Sequence, residues 1–565
     1  MESVLIPKRK DEFLLDNATL DTLPYEDTII QNVVSKIKEQ KIQFLKEDTL
    51  GVLFERFIRE ERKKDLGQFY TPQKIVDYII DFLKIGPNSK ILDPTCGCGV
   101  FLVTAFNFLK QINKEALNNV YGVDLNESAT KITRINLWLR NGKNLKSLKT
   151  LEKNIKMGNS IVEDKNLDAY AFNWKGQFSD ILKEGGFDFV IGNPPYITLK
   201  GGEDYNLKES FFSKITNGST NAASLVIAKS FELLKNNGVM AFVLPKTLVR
   251  VNSYSKLREF ILNNGKILHI YDLGNCFKDV RGEQVIIFIK KTYNKNEINQ
   301  NKVLIRVYED KNKSLLEQKE FLVPQKLFSK YNNFLMFEKQ DYYNLIEKIN
   351  EQGEQLSSLA DIFRGITISP KSSLISKSSV KKSRPIIKGK DISKFHYQIN
   401  YFLNVDKISN NNFKISQFDK DKIVLQNIFS SEAGIIATTD KSKSLNFDTV
   451  TNITIRNKSL DEKYLLGLLN SKLINFFLIY AIYNKSKLTM HTDKVYLGRL
   501  PIKKVSKETQ KEIIGVVNKL EKTKEKKPLL NMLDKVVYKL YKLNKNDQNL
   551  IEESLAKIMS AKSMW

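Results

Sequence analysis

The 565-residue chain has few cysteines and histidines and no long apolar run. Its three cysteines, Cys96, Cys98 and Cys276, cannot form a disulfide framework for a protein of this size, which suits a reducing compartment. No His/Cys cluster has metal-ligand spacing, so we expect no metal. The longest apolar stretch, 473–483, is too short to cross a bilayer, and the first residues lack the apolar segment of a signal peptide. We therefore expect a cytoplasmic protein without a membrane partner.

Acidic residues are scarce relative to basic ones. The chain has 90 Lys and Arg against 64 Asp and Glu, a net charge of +26. A charge this far from neutral predicts attraction to polyanions, so nucleic acid is the first partner to consider, although a lysine-rich proteome would also raise the charge. Hydrophobic residues make up 42% of the chain, which is enough for packed cores.

The spacing of apolar residues divides the chain into segments. In the second of these, short Val- and Ile-rich runs alternate with amphipathic helices, which indicates an α/β domain with a mostly parallel sheet covered on both faces. Its last run, 284–291, follows its predecessor closely enough to pair antiparallel. The predicted segments are an N-terminal helical segment (1–65), the α/β domain (66–295), a bridging segment (296–355), a polar, Lys-rich α+β module (356–505) and a C-terminal helical tail (506–565).

A strand, a glycine turn and a helix follow one another at 91–102. Glycines let a backbone approach a ligand closely at the carboxyl end of a strand, where open α/β sheets bind their ligands. The next predicted strand ends in Asp124, where a ribose would need a hydrogen-bond acceptor. The third glycine of the dinucleotide fingerprint and the Gly-Lys-Ser/Thr of a P-loop are missing, which argues against a hydride cofactor and a nucleoside triphosphate. An adenosine-type ligand remains.

The deciding motif is Asn-Pro-Pro-Tyr at 193–196, directly after the apolar run Phe-Asp-Phe-Val-Ile-Gly. Two prolines fix φ and remove two amide donors, so the Asn193 side chain and the Pro194 carbonyl can be rigid hydrogen-bond acceptors. An exocyclic amine that donates to both is drawn toward sp3 geometry, which localises its lone pair for attack on an electrophile. Tyr196 offers a flat face to a flat substrate.

With these motifs the chain resembles the gamma class of S-adenosylmethionine-dependent DNA adenine-N6 methyltransferases, which includes TaqI-type enzymes and the modification subunits of type I restriction systems. The likeness is strong over about residues 50–290. It implies a Rossmann-like, seven-stranded methyltransferase domain, an α+β target-recognition domain and flanking helices. It also implies S-adenosylmethionine as cofactor and methyl transfer to N6 of an adenine flipped out of double-stranded DNA, by a restriction-modification or solitary methylase. The cofactor-binding residues implied by the resemblance are Phe69, Tyr70, Thr71, Pro72, Asp93, Thr95, Cys96, Gly97, Gly99, Asp124, Leu125, Asn159, Ser160 and Asn193.

The resemblance also implies a target-base site and a DNA-binding surface. An aromatic residue of the family stacks on the flipped adenine, and Tyr254 occupies that place, with Phe211 and Phe212 as other candidates. The catalytic residues are then Asn193, Pro194, Tyr196 and Tyr254. Phosphate contacts are expected from the basic stretch 371–394, and base contacts from residues such as Gln426, Asn427 and Arg456. The phosphate-binding candidates are Lys371, Lys381, Lys382, Arg384, Lys388 and Lys390.

Two other substrate classes use the same motif. Protein glutamine-N5 methyltransferases present an amide to the same acceptors, and ribosomal RNA methyltransferases are a further alternative. The long basic module beyond the α/β domain favours DNA over a peptide. A restriction or specificity subunit remains open as a partner, as do the recognition sequence and the choice between monomer and dimer.

Overall fold

The computed structural model describes residues 12–14, 44–46, 71–142, 144–199, 211–215, 220–274, 282–308, 314–337, 339–405, 415–485 and 490–560. These residues form two compact units, one ending at Glu338 and the other beginning at Lys339. Within the predicted N-terminal helical segment, the described residues are two short antiparallel strands, Glu12–Leu14 and Phe44–Lys46. The rest of that segment lies outside the described residues.

The described part of the first unit contains one nine-stranded sheet. Its strands are β1 (Ile91–Asp93), β2 (Val120–Asp124), β3 (Ile155–Met157), β4 (Phe187–Gly192), β5 (Leu234–Pro245), β6 (Gly265–Gly274), β7 (Gln284–Lys291), β8 (Lys302–Val307) and β9 (Glu320–Pro324). Their order across the sheet is β9-β8-β6-β7-β5-β4-β1-β2-β3. Strands β1 to β5 are parallel, and β7 lies antiparallel between β5 and β6. The predicted α/β class and the antiparallel last run are confirmed.

The sheet has two strands more than the predicted seven. β8 pairs parallel with β6, and β9 pairs antiparallel with β8 at the edge. Both come from the predicted bridging segment. Their sequences mix charged and apolar residues, and β9 buries fully only one of its five residues, Val323. An edge strand of this kind lacks the continuous apolar run by which the central strands are recognised.

Helices cover both faces of this sheet. They are α1 (Gln73–Leu83), α2 (Val100–Lys110), α3 (Glu127–Arg140), α4 (Ser147–Asn154), α5 (Ala222–Leu233) and α6 (Ser255–Asn264), with shorter helices at Trp174–Gln177, Ser179–Lys183, Lys295–Asn299 and Gln325–Tyr331. In α1 the apolar residues recur at helical spacing and are buried, from Ile75 to Leu83. In α5 every residue except Glu232 is buried, which explains its mostly apolar sequence.

The second unit is α+β. Its described part has one antiparallel sheet of four strands in the order Ala360–Arg364, Val450–Ile455, Lys422–Gln426, Ala437–Asp440. A second four-stranded sheet has the order Ile375–Ser376, Tyr401–Asn404, Ser383–Ile387, Leu445–Asn446. Paired short strands are Glu354–Gln355 with Pro501–Ile502, Ile392–Ser393 with His396–Tyr397, and Ile428–Phe429 with Met490–His491.

Helices complete the second unit. They are Gln340–Asn350, Leu356–Leu359, Glu462–Asn470, Lys472–Phe477, Lys494–Leu497, Lys507–Lys522, Lys527–Leu540 and Lys545–Ser560. In the described parts of the chain, no single helix combines the length and apolarity needed to cross a membrane. One bent pair, Glu462–Asn470 with Lys472–Ile482, passes that test on length and composition only.

Candidate active site

The candidate site lies at the carboxyl ends of three neighbouring parallel strands. β1 ends at Asp93, β2 at Asp124 and β4 at Gly192, and the order of these strands in the sheet is β4-β1-β2. The carboxyl ends of parallel strands meet at one edge, where open α/β sheets bind ligands. Residues from motifs about a hundred positions apart therefore share one crevice.

The glycine turn after β1 is held by the two aspartates. Thr95 N donates to Asp93 Oδ1 (3.0 Å), and Gly97 N donates to Asp124 Oδ2 (2.8 Å). Gly97 has φ +51°, and a Cβ there would point into open space. Gly99 has φ +88°, and a Cβ there would clash with the Thr133 side chain at 2.6 Å. The turn thus presents bare backbone to the crevice while packing closely on α3.

Asp93 and Asp124 are buried carboxylates, with relative exposures of 1% and 6%. Burial raises the pKa of Asp93 well above its usual value, and the nearby charge of Asp124 raises it further. Burial also raises the pKa of Asp124, against the lowering effect of its bonds from Asn126 N and Gly97 N. Within the described ranges neither carboxylate has an ion pair, and the buried Thr95 Oγ1 has no hydrogen-bond partner there. This site suits a ligand with positive charge and hydroxyl donors.

S-adenosylmethionine, the cofactor implied by the motifs, has that chemistry: a sulfonium and an ammonium group, with two ribose hydroxyls. The residues present therefore fit the group. Cys96 and Cys98 are buried in the same turn. Burial raises the pKa of the Cys96 thiol well above its usual value, which suits a small packing residue rather than a nucleophile.

The Asn-Pro-Pro-Tyr motif directly follows β4. A Cβ on Gly192 would lie 2.7 Å from Asp93 Oδ1, so the Asp93 carboxyl packs against the residue that precedes Asn193. Asn193 Nδ2 donates to Thr71 Oγ1 (3.1 Å), and the Tyr196 hydroxyl donates to Asn193 Oδ1 (2.6 Å). Burial raises the pKa of Tyr196, so its hydroxyl stays neutral and able to donate. The structure therefore brings Asn193 together with the cofactor-side motifs.

The other predicted aromatic residues differ in their surroundings. Tyr254 lies partly buried in a short 3-10 turn, Asn252–Tyr254, beyond the end of β5, and burial raises its pKa. Phe212 is buried, with Lys229 Nζ 5.9 Å from its ring centre, as expected of a packing residue. Phe69, Tyr70 and the Phe211 side chain lie outside the described residues.

Asn159 and Ser160 follow β3 at the same edge, but the structure uses them to hold their own loop. Asn159 Nδ2 donates to Asp168 Oδ2 (2.6 Å), and Asn159 Oδ1 accepts from Ile161 N (3.1 Å). The Ser160 carbonyl accepts from Trp174 Nε1 (3.1 Å). Leu125, the predicted neighbour of the ribose acceptor, is exposed.

One charged cluster was missed by sequence reasoning. Lys246 directly follows β5, and its Nζ lies 2.7 Å from Asp272 Oδ2 and 3.4 Å from Glu283 Oε2. Burial lowers the pKa of Lys246, but the two carboxylates raise it by more, so it remains charged. The cluster ties the ends of β5 and β6 to the residue before β7. The feature of the sequence that could have revealed this cluster is a charged residue, Lys246, directly after a buried strand.

In the second unit, the predicted phosphate contacts fall into two groups. Arg384 donates to the Lys443 carbonyl (2.6 Å) and lies 3.0 Å from Asp419 Oδ1, while Lys388 Nζ sits 3.8 Å above the Tyr401 ring centre. The side chains of Arg384 and Lys388 thus already have partners within the second unit. The four exposed members are Lys371, Lys381, Lys382 and Lys390.

The residues that the sequence suggested for base contacts also have hydrogen-bond partners within the second unit. Asn427 is fully buried, and its Nδ2 donates to Thr451 Oγ1 (2.9 Å) and Asp493 Oδ1 (3.0 Å). Gln426 donates to the Ile392 carbonyl (2.8 Å), and Arg456 donates to the Ser357 carbonyl (2.6 Å). The fold thus gives these polar groups structural partners.

The sheet order and the strand-end crevice define a mostly parallel α/β domain, joined in sequence to a separate α+β module. Residues 118–277 match the family model of the Eco57I restriction-modification methylases, and residues 384–502 match that of the TaqI-like C-terminal specificity domain. The resemblance predicted from the motifs is confirmed. The chain therefore contains a region similar to restriction-modification methylases, followed by a region similar to a TaqI-like specificity domain.

Similar proteins come from restriction-modification systems. The type II restriction enzyme and methyltransferase RM.Eco57I of Escherichia coli is 26% identical over 375 residues, which cover 52% of this chain and 37% of that protein. A putative type II restriction enzyme and methyltransferase of Methanocaldococcus jannaschii, RM.MjaORFECS2P, is 26% identical over 462 residues, 79% of this chain and 36% of that one. The chain thus spans well under half the length of both relatives.

A solved structure shares the fold. The type IIL restriction-modification enzyme MmeI in complex with DNA aligns with a TM-score of 0.53 at 14% identity, covering 97% of this chain and 80% of that chain. At this identity the likeness shows the fold alone.

Proposed function

We propose that the protein transfers a methyl group from S-adenosylmethionine to N6 of adenine at a specific site in double-stranded DNA, within a restriction-modification system. The observation that carries the proposal is the position of Asn193 beside the crevice formed by Asp93, Asp124 and the glycine turn. A match to a TaqI-like specificity domain supports DNA as the substrate, as does the net charge of +26.

The first unit holds the cofactor in this proposal. Asp124 accepts from the ribose hydroxyls, and the bare backbone of the turn at Gly97 lines the methionine side. The Thr95 hydroxyl and the buried Asp93 carboxylate offer further polar contacts there. The sulfonium of the bound cofactor supplies an electrophilic methyl group. The protein then has to align donor and acceptor, since in-line transfer to an amine depends mainly on positioning.

The acceptor side is formed by Asn193 Oδ1 and the Pro194 carbonyl, which accept the two hydrogens of the target amine. The Tyr196 hydroxyl already donates to Asn193 Oδ1, but an amide oxygen has a second lone pair for the amine. The target lies inside a duplex, so the base must be extruded into the site. Tyr196 and Tyr254 stack on the extruded adenine in this arrangement, which compensates part of the unstacking cost.

The second unit supplies DNA contacts in the proposal, through the exposed lysines of the stretch 371–390. A restriction activity elsewhere in the same system would act on the unmodified sequence.

Sequencing of DNA methylated by the purified protein tests the proposal directly. Unmethylated genomic DNA is incubated with the protein and S-adenosylmethionine, and single-molecule sequencing reports the base, the atom and the sequence context of the modification. We expect N6-methyladenine in one defined context, and none without the cofactor. Transfer to a release-factor peptide or to ribosomal RNA, with the DNA unmodified, would instead support the alternative substrates of the same motif.

A further inference from the structure

Thr71 lies in the segment that sequence motifs assign to the cofactor, but its hydroxyl contacts the acceptor motif. Asn193 Nδ2 donates to Thr71 Oγ1 at 3.1 Å, across 122 positions of the chain. Thr71 is 2% exposed and directly precedes Pro72, the residue that caps α1. The start of α1 therefore fixes the position of its hydroxyl, and with it one end of the Asn193 amide.

The orientation of the Asn193 amide matters for the proposed reaction. A primary amide has an acceptor end and a donor end, and a half-turn about its last torsion exchanges them. Only the oxygen can accept a hydrogen from the target amine. In the opposite orientation the amide would present N–H groups to the N–H groups of the substrate, which cannot form a hydrogen bond.

The distances around Asn193 identify which end faces which neighbour. The Tyr196 oxygen lies 2.6 Å from Asn193 Oδ1, in the range of an O–H···O bond, whereas the 3.1 Å to Thr71 Oγ1 is in the range of an N–H···O bond. The Tyr196 oxygen also lies 3.1 Å from the Val243 carbonyl. The hydroxyls of Tyr196 and Thr71 can each donate or accept, so it is the two distances together that assign Oδ1 to the side of Tyr196 and Nδ2 to the side of Thr71.

We propose that Thr71 is a positioning residue for methyl transfer: its hydroxyl oxygen holds Asn193 Nδ2, so that Asn193 Oδ1 faces the target amine. This inference rests on the proposed function and deepens it. It assigns Thr71 to the acceptor side of the reaction rather than to cofactor affinity. The segment at the start of α1 thereby couples the cofactor crevice to the amine site.

The test compares Thr71→Val, which keeps the shape and removes the hydroxyl, with Thr71→Ser, which keeps the hydroxyl. Transfer to cognate DNA is measured at saturating S-adenosylmethionine, and cofactor affinity by calorimetry. For Thr71→Val we expect kcat to fall by on the order of 10- to 100-fold, as for a misplaced reacting group, with cofactor Kd changed by less than about threefold. Thr71→Ser should stay within about threefold of wild type in both, because it retains the acceptor oxygen.

Other results would overturn the assignment. Weaker cofactor binding with kcat unchanged at saturation would make Thr71 a cofactor contact, and equal losses in the Val and Ser variants would make it a packing residue. No change in either variant would leave it without a role. Thr71→Ala replaces the Val variant if circular dichroism shows that the latter is unfolded, and the same outcomes then apply.

A structural readout separates this inference from the proposed reaction. In crystals of the wild type and of Thr71→Val, we expect Asn193 Nδ2, which has lost its acceptor, to swing away from residue 71, so that the amide group leaves its wild-type position in the variant only. An unchanged Asn193 would overturn the positioning role. If the wild type methylates no DNA, the proposed function fails, while the crystals still decide whether Thr71 orients Asn193.

Discussion

The two units use their buried polar residues in different ways. In the first unit, Asp93 and Asp124 are buried without an ion pair among the described residues, at the ends of parallel strands. In the second unit, Lys422 and Asp440 are fully buried but lie 2.7 Å apart, and Asp440 also accepts from Ser444. A carboxylate at a strand end keeps capacity for a ligand, whereas one between antiparallel strands is satisfied by the fold itself.

The pKa values of these buried aspartates also differ between the two units. Burial raises the pKa of both aspartates in the first unit, with no cation beside them in the described residues to offset it. Burial also acts to raise the pKa of Asp440, but the Lys422 charge together with hydrogen bonds from Lys422, Ser444 and Ser442 outweighs burial and lowers it. In this comparison the uncompensated carboxyl groups are those of the candidate site, and the compensated one lies between antiparallel strands of the second unit.

The largest expected effect comes from removing the proposed hydrogen-bond acceptor for the target amine, the Asn193 side chain. Asn193→Ala should abolish methyl transfer, a loss of at least about 10² to 10³-fold for removing one preorganised hydrogen-bond partner. Cofactor binding should change much less, because the proposal assigns the Asn193 amide to the target amine, although the resemblance also counts Asn193 among the cofactor-binding residues. Transfer assays on cognate DNA and calorimetry measure the two quantities.

The matched control for this prediction is Asn118→Ala. Asn118 is an exposed asparagine of the same unit that donates to Glu115 Oε2, away from the strand-end crevice. Its removal should leave transfer intact. Retained turnover in Asn193→Ala would contradict the assignment of the acceptor.

The next effect compares exposed lysines of the stretch 371–390 with exposed lysines elsewhere in the second unit. Replacing Lys381 and Lys382 by Gln should weaken DNA binding and flatten its salt dependence, by about 0.9 in the log-log slope for each phosphate that is no longer neutralised. The control pair is Lys535→Gln and Lys539→Gln, two exposed lysines of the helix Lys527–Leu540. Fluorescence anisotropy at several salt concentrations gives the slopes. Equal slopes for both double variants would argue against a phosphate-binding role of the stretch 371–390.

A smaller effect is expected at the cofactor crevice. Asp124→Asn keeps the shape of the side chain but loses its charge, so S-adenosylmethionine should bind about 1 to 3 kcal/mol more weakly. Asp180→Asn serves as control, since Asp180 is exposed and lies 3.9 Å from Lys153 Nζ. Calorimetry measures the affinity of both variants for S-adenosylmethionine. An Asp124→Asn affinity equal to that of the control would remove Asp124 from the cofactor site.

Sequence reasoning served the first unit well because its site is assembled from strand ends. Each motif lies beside the strand that positions it, and parallel neighbours bring Asp93, Asp124 and Asn193 to one edge. The bond between Thr71 and Asn193 escaped it, because an interaction across 122 positions depends on how α1 packs. That β8 and β9 of the bridging segment extend the main sheet was not predicted, because strands at and next to an edge relax the apolar pattern of the central strands.

In the second unit, polar residue type was a poor guide to which side chains are exposed. Asn427 has the side chain expected of a base reader, yet it is fully buried and bonded to Thr451 and Asp493. Short antiparallel strands with many Ser and Asn residues form polar contacts among themselves, and sequence alone does not show which side chains remain exposed. The exposed lysines were predictable from composition, since lysine side chains are rarely buried in full.

The last and smallest effect concerns a carboxyl group that departs from the pattern of the second unit. Glu462 lies in the first turn of the helix Glu462–Asn470, and its Oε1 is buried without a hydrogen-bond partner among the described residues. Burial raises its pKa from 4.5 to about 7. In the unfolded chain the group ionises near pH 4.5, whereas the folded protein retains the proton up to about pH 7. Raising the pH through this window therefore lowers the free energy of unfolding.

Glu462→Gln cannot ionise, so its urea midpoint should rise relative to wild type between about pH 5 and pH 7.5. The midpoint of the exposed control Glu508→Gln should run parallel to that of wild type. Parallel midpoints for Glu462→Gln and wild type would show that this carboxyl is compensated, as Asp440 is.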